Sequence, residues 1–446
     1  MNSRRFLGSL CAGLAVACAG KSLTVDDDPA SPSTDGNSSD GSSGGSATNA
    51  SGGSDATSAS GGSSATNASG GTDATNASGG SSATNASGGS SATNASGGTD
   101  ATSGSTGGNG AAALPCDLLE ADGHPCVAAH STVRRLRSAY DGPLYQLCLE
   151  GPSWPCAFDT LDIGTVSGGY ADATAQDEFC ADHSCTIATI YDQSGQGNHL
   201  EPAPPSTVNP NPGSPAPATR LPVTIDGHEA YGILIRPGNG YRAGCNGCTT
   251  PIGQGMPVGD EPQTIYMVTS QHDLIDGCCF DYGNAETSTN NDGNGTAEAL
   301  NFSHGVIWGT GSGEGPWVMA DLENGLYPGW ENNQDHNIST NTSLLHDFVT
   351  AVLVGDTAET NDGKGRFALY GGDAQAGSLK TMWDGIRPVK PGYVPMLKQG
   401  SIILGIAGDN SNGGGGRFYE GVIATGAASK ATLDALQAAI VAAGYE

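Results

Sequence analysis

From about Ser31 to Gly110 the chain is written almost entirely in Ala, Ser, Thr, Asn, Gly and Asp. Much of it is one nine-residue phrase, "ATNASGGSS", with the variants "ATNASGGSD", "ATSASGGSS" and "ATNASGGTD". No aromatic residue occurs between Phe6 and Tyr140, and no Lys or Arg between Lys21 and Arg134. A nine-residue period without an apolar face has nothing to bury, so a solenoid is not expected. A repeat-built β-helix is the rival reading, but neither its apolar positions nor a metal-ligand pattern is present. The segment reads as a disordered, weakly acidic tether. Any fold must therefore come from the rest of the chain, roughly Ala113 to Glu446, which is enough for one large domain or two small ones.

The N-terminus gives the tether a context. "MNSRRFLGSLCAGLAVACAG" has two arginines followed by an apolar run ending in small residues, the plan of an export signal. The expected segments are a signal at 1–20, a linker at 21–112 and a folded domain at 113–446. Cys18, after Leu14-Ala15-Val16-Ala17, resembles a bacterial lipoprotein cleavage site, although Ala15 stands where a larger aliphatic is usual. Cleavage within Ala17-Cys18-Ala19 by ordinary signal peptidase is the other reading, and the two stay open. Arg4-Arg5 hints at twin-arginine export, with poor spacing to the apolar run. No later apolar stretch is long enough to span a membrane. The expected location is therefore outside the cell membrane, either secreted or tethered to the surface.

Export changes the meaning of the cysteines. Of the 12, Cys11 and Cys18 lie in the leader, leaving an even ten for an oxidising compartment. They fall as neighbours along the chain: Cys116 with Cys126, Cys148 with Cys156, Cys180 with Cys185, Cys245 with Cys248, and Cys278 with Cys279. Short-range disulfides are the default reading. Zinc held by "CNGC" and "CC" is the sharper alternative, yet adjacent cysteines reach two tetrahedral corners poorly.

Short apolar runs recur through the folded part, among them "TIATIYDQ", "TIYMVTS", "HDFVTAVLV", "RFALYGG" and "SIILGIAG". Gly, Asn, Asp and Pro clusters separate them. Many strands joined by turns predict an all-β fold, a β-sandwich. One helix is expected at the end, where Leu433, Leu436 and Ile440 share a face and Gly444 suits the cap. A second short helix is expected around "SAYDGPLYQL". Alternating βα units are absent, which argues against a TIM barrel or Rossmann fold.

Carboxylates carry the candidate chemistry. In "GPWVMADLENGL" an extended strand puts Trp317, Met319, Asp321 and Glu323 on one face and Val318, Ala320 and Leu322 on the other. The first face is either a solvated exterior or two acids in a cleft. Asp409, in "GIAGDNSNGGGG", follows an apolar strand and is either a turn cap or a catalytic group on a rigid scaffold. Retaining glycoside hydrolysis needs one ionised and one protonated carboxyl group, about 5–5.5 Å apart. Glu323 and Asp409 are such a candidate pair. Other signals are weaker. "NNDGNG" (290–295) lacks the closing acid of a calcium loop and reads as a turn. "YDQSGQGNHL" (191–200) holds Asp192, Ser194 and His199 without a nucleophile elbow and reads as a structural loop. The glycines at 413–416 lack the spacing of a phosphate cradle. A formal charge of -29 with one small basic cluster, "RRLRSAY", argues against nucleic acid.

Together "PCDLLEADGHPCVAAHSTVRRL", "SGGYADATAQDEFC", "IYDQSGQGNHL", "CCFDYGNAET", "WVMADLENGL", "GSIILGIAGDNSNG" and "FYEGVI" resemble the catalytic domain of glycoside hydrolase family 54. Its members are α-L-arabinofuranosidases acting on arabinoxylan and arabinan. The resemblance runs from about Leu114 to Tyr445. It implies a β-sandwich of concanavalin-like or jelly-roll type, a retaining mechanism, and neither cofactor nor metal. Glu323 is then the nucleophile and Asp409 the acid/base. Cys278, Cys279, Trp308, Asp321, Asn324, Leu326 and Gly408 contact the sugar. It further implies that Cys278 and Cys279 are bonded to each other, their sulfurs flooring the furanose site. Across a trans peptide the Cα atoms would be about 3.8 Å apart, below the usual disulfide range, so such a ring strains the backbone. The expected partner is an arabinose-bearing plant polysaccharide or oligosaccharide, and the expected state is a monomer.

Three departures qualify the resemblance. Asn324 is followed by Gly325 where the family has a second Asn. The usual C-terminal arabinose-binding module is not expected, the chain ending just after the helix. The pairs Cys148–Cys156 and Cys245–Cys248 look like extra staples. Two further hypotheses stand beside the arabinofuranosidase: a surface carbohydrate binder without catalysis, and another furanosidase or xylosidase specificity on the same scaffold.

Overall fold

The structure, a computed structural model, describes residues 113–149, 155–305, 309–331, 337–357 and 363–446. The expected signal and linker, and Trp308, lie outside the described residues. Where short apolar runs stand between Gly, Asn, Asp and Pro clusters, antiparallel strands form and stack as two large sheets. One sheet has six strands in the order Cys126–Ser131, Glu420–Thr425, Gln263–Thr269, Val349–Asp356, Arg366–Asp373 and Lys380–Ile386. The other has seven, in the order Leu326–Tyr327, Trp317–Asp321, Glu298–Ser303, Asp281–Ala285, Ser401–Leu404, Tyr241–Ala243 and Glu201–Pro202. The fold is a β-sandwich, as the strand pattern predicts.

Register decides which face of the second sheet meets the core. Tyr282 pairs with Leu300, and Leu300 with Ala320. These three, with Phe302, Val318, Ile402 and Leu404, join the main apolar core. The alternate positions Asp281, Asn301 and Met319 pair across the same strands and therefore point to the opposite face. That face is closed over, because every residue of Trp317–Asp321 is buried. The solvated-exterior reading of this strand is thereby excluded.

Glu298 of the seven-stranded sheet reaches Gln263 of the six-stranded sheet and is also half of a buried ion pair. Glu298 accepts from Gln263 Nε2 through its backbone oxygen at 3.0 Å and its carboxylate at 2.8 Å. Lys398 Nζ stands 2.9 Å from the same carboxylate, with both side chains fully buried. Removing one partner of such a pair strands the other charge in a low-dielectric interior, which costs about 3–5 kcal/mol. Lys398→Ala is expected to lose stability of that size in urea titration. A change under about 1 kcal/mol would mean water reaches Glu298.

The C-terminal helix forms as expected over Lys430–Val441, with Ser429 accepting from Thr432 N and Leu433, Leu436 and Ile440 buried. The helix expected around "SAYDGPLYQL" does not form. Tyr145–Leu149 is a strand, paired on one side with Thr160–Ile163 and on the other with Cys185–Ile190. Gly142-Pro143 breaks any helical start, and two ladders outweigh local propensity. Helices instead occupy Pro115–Ala121 and Ala173–Cys180. The "YDQSGQGNHL" loop is an internal brace: the Asp192 carboxylate accepts from the backbone N–H groups of Ala129, Ser194 and Asn198 and from Ser194 Oγ.

Ten cysteines are joined as Cys116–Cys126, Cys148–Cys156, Cys180–Cys185, Cys245–Cys248 and Cys278–Cys279. The sulfurs of "CNGC" and "CC" are thus engaged with one another rather than free as thiolates. The Cys278-Cys279 peptide is cis, and its Cα atoms are 3.0 Å apart, not at the trans spacing that the sequence argument assumed.

Candidate active site

The strand Trp317–Asp321 ends at Asp321, and the chain reverses at once into Leu326–Tyr327. Leu322 N donates to Gly325 O at 3.1 Å, while Glu323 and Asn324 between them have φ of 58° and 57°. Two central residues at positive φ make a tight hairpin whose twist matches its strands. Glycine or asparagine usually occupies such positions, so Glu323 holds a conformation costing of order 1–3 kcal/mol, a type of strain that collects at functional sites. The expectation of a continuous strand through Glu323 is therefore corrected. Its side chain is aimed by a turn, not by pleat alternation.

The hairpin is tied from several sides. Glu323 N donates to Asp321 Oδ1 at 2.8 Å. The Tyr393 hydroxyl lies 3.0 Å from Glu323 O and 3.1 Å from Asn294 Oδ1. Asn324, exposed at the mouth, accepts from Asn291 Nδ2 at 2.7 Å and donates to Asn294 Oδ1 at 3.3 Å. The "NNDGNG" segment is therefore a turn whose asparagines clamp the hairpin. Tyr393→Phe removes one anchor of about 1 kcal/mol, for an expected fall in kcat of about fivefold with KM little changed. Steady-state kinetics and a melting curve read this directly; an unchanged kcat would mean the asparagines alone hold the turn.

Carboxyl groups carried by three strands and the turns that follow them converge here. Asp321 is buried beside Asp281, whose Oδ1 accepts from Asn301 Nδ2 at 2.6 Å. One carboxylate oxygen of each and the Cys279 sulfur lie within 4.8 Å of one another. Burial, and then the charge of Asp321, push the Asp281 carboxyl well above the usual carboxylate range. Burial likewise raises Asp321. For Glu323, burial is the largest cause of a strong upward push, followed by the charges of Glu286, Asp321 and Asp409, with Arg242 opposing. Asp409 is half-buried, and its Oδ1 accepts from Ser411 N at 2.8 Å.

The Arg242 guanidinium, fully buried, ties the far wall together. It donates to Ser401 Oγ at 2.9 Å, to Asn410 Oδ1, and to the main-chain oxygens of Gly408 and Glu286. Cys279 is buried and Cys278 partly open. The glycine run serves this corner: Gly413 N donates to Cys278 O at 2.8 Å, and a Cβ on Gly414 would fall 2.7 Å from the Cys279 carbonyl carbon. Leu326 packs with Trp317 and Met319 in a small cluster of its own. The structure thus gathers Glu323, Asp321, Asp409 and Cys279, sets Asn324 at the mouth, and adds Arg242, Glu286, Asp281 and Tyr393, which sequence reasoning did not single out. For Arg242, Glu286 and Asp281 the only sequence signal is a charged residue inside or at the end of an otherwise apolar strand, and Tyr393, in a loop, carries none.

The family described as "Alpha-L-arabinofuranosidase B, catalytic" matches residues 115–446. The chain belongs to this family. It is 48% identical over 344 residues to a probable α-L-arabinofuranosidase B of Aspergillus fumigatus, covering 76% of this chain and 63% of that protein. It is 47% identical over 343 residues to an arabinofuranosidase/β-xylosidase of Trichoderma koningii, covering 76% and 64%. Among solved structures it resembles an arabinofuranosidase complexed with arabinofuranosyl-α-1,2-xylobiose, with a TM-score of 0.67 and 44% identity over 74% of this chain and 65% of that one. The chain thus spans less than two thirds of the length of these relatives. The matched range, 115–446, contains the site residues described above.

Proposed function

We propose that this protein is a retaining, exo-acting α-L-arabinofuranosidase that removes arabinofuranose side chains from arabinoxylan or arabinan. The observation that carries the reading is the convergence of the buried Glu323 and Asp321 with the half-buried Asp409, beside the Cys278–Cys279 pair. In the first step, the ionised Glu323 attacks the anomeric carbon while Asp409 gives its proton to the departing oxygen, leaving a glycosyl ester on Glu323. In the second, water attacks the same carbon, Asp409 takes its proton, and Glu323 leaves as carboxylate. Asp321 both accepts the Glu323 N–H and offers an oxygen to a sugar hydroxyl. The disulfide presents an apolar face to the ring carbons without losing rotamer entropy on binding. Asn324, Leu326 and the Gly408 backbone complete the sugar contacts.

The complex of a relative with arabinofuranosyl-α-1,2-xylobiose supports an arabinose-bearing oligosaccharide as substrate. We further propose that residues 1–20 direct export, that 21–112 act as a spacer, and that 113–446 are the catalytic domain, working as a monomer outside the cell. Five joined cysteine pairs suit an oxidising compartment. The test is release of 4-nitrophenol from its α-L-arabinofuranoside by the full chain, with 4-nitrophenyl β-xyloside in parallel. Preference for the arabinoside is expected; faster xyloside hydrolysis would replace the specificity, and release from neither would leave a carbohydrate binder.

A further inference from the structure

Glu286 stands one residue beyond the strand Asp281–Ala285, fully buried, and among the described residues no other residue donates a hydrogen bond to either of its carboxylate oxygens. A desolvated carboxyl without a donor from another residue is costly to keep, and it invites a functional account. Its position is specific. A Cβ on Gly408 would fall 2.2 Å from Glu286 Oε2, so the carboxyl rests directly on the residue preceding Asp409, and only glycine leaves it that room. Arg242 grips the backbone oxygens of both Glu286 and Gly408, fixing this approach, while its guanidinium is spent on neutral acceptors rather than on the Glu286 carboxylate.

We propose that Glu286 is a further positioning residue of this site, a buried carboxyl whose negative charge sets the pH at which Glu323 becomes a nucleophile and favours the positive charge that builds on the sugar in the transition state. The inference rests on the reading of Glu323 as nucleophile. The charged groups around Glu286 are Arg242 on the strand Tyr241–Ala243, Asp321 and Glu323 at the hairpin, and Asp409 on the loop after Ser401–Leu404. Asp292 acts on Arg242 from the asparagine-rich turn. Among the neighbouring charges, that of Glu286 comes first in raising Glu323. Burial pushes Glu286 itself up to about 7, with Arg242 opposing. An ionised Glu286 makes Glu323 hold its proton more tightly. The same charge, in a water-poor pocket, stabilises an oxocarbenium-like transition state more than the neutral ground state.

Glu286→Gln keeps shape and removes charge. Its expected signature in the full chain is a fall in kcat of about ten- to a hundredfold at nearly constant KM. With it, the acid limb of the kcat/KM profile moves to lower pH by about one unit, because Glu323 ionises more easily. Gly408→Ala, which displaces the carboxyl without altering it, should lower kcat in the same direction. A Glu286→Gln profile that superimposes on wild type would overturn the proposal. So would a loss confined to KM, which would make Glu286 a sugar ligand, or a uniform loss with unmoved limbs, which would make it a packing residue. Glu323→Gln measured alongside separates the two ideas. If that variant stays active, the nucleophile reading fails; if it is inactive and the limbs of Glu286→Gln do not move, only the role of Glu286 fails.

Discussion

Glu323→Ala is expected to hydrolyse 4-nitrophenyl α-L-arabinofuranoside at least about 10⁴-fold more slowly than wild type while melting at a similar temperature. Asp409→Ala should fall less on this substrate, because nitrophenolate leaves without help, and far more on an arabinofuranosyl oligosaccharide, whose alkoxide needs the proton. Added azide separates the roles. In Glu323→Ala the truncated side chain leaves space for a small anion on the face opposite the leaving group, and attack there yields an arabinosyl azide of inverted configuration. In Asp409→Ala the ester on Glu323 still forms, and azide displaces it to give the retained configuration, since azide needs no general base. Proton NMR of the anomeric centre distinguishes the products. Interchanged stereochemistry would exchange the two roles, and full activity in either variant would remove that residue from the mechanism.

How far the site was legible depends on which forces place each group. The sandwich follows from many short apolar runs set off by turn residues, and the pairing of Val318 and Ala320 toward the core was readable because one face of that strand is uniformly apolar. That the other face is also buried was not readable. Trp317, Met319 and Leu326 pack on one another outside the main core, and no local pattern distinguishes that small cluster from a solvated face. The aim of Glu323 was missed for a backbone reason: positive φ at a glutamate contradicts its propensity and is enforced by Asp321, Tyr393 and the asparagine turn, all remote in sequence or dependent on the fold. Glu286 and Arg242 were invisible because a lone charge near a strand end looks like solvent-facing decoration until the sheet order brings the strands Asp281–Ala285, Ser401–Leu404 and Tyr241–Ala243 side by side. The run Gly413–Gly416 had no assignable purpose in sequence. In the fold it lets one backbone approach that of Cys278 and Cys279 more closely than any side chain would allow.

Arg242→Met should be the most damaging change among residues that never touch the sugar. The guanidinium donates to Ser401, Gly408, Glu286 and Asn410 from three strand ends, so its loss frees the Gly408–Asn410 loop that carries Asp409. Burial lowers Arg242 to about 10, with Glu286, Glu323 and Asp409 opposing, so at neutral pH it remains the cation facing these acids. An uncompensated buried carboxylate costs about 3–5 kcal/mol, and misplacing the acid by about an ångström lowers the rate by about 10²-fold. Arg242→Lys is expected to recover little, since one ammonium cannot reach acceptors arranged for a planar fork. The sign of the pH dependence tests the electrostatic part. Without Arg242, Glu286 and Glu323 bind protons still more tightly in the folded state than in the unfolded chain, so the folded protein carries more protons and loses stability as pH rises above the unfolded carboxyl range. Urea unfolding should therefore find the Arg242→Met deficit smaller at pH 5 than at pH 8. A deficit that is the same at both would assign Arg242 a purely steric role and leave the carboxyl cluster to manage its own charge.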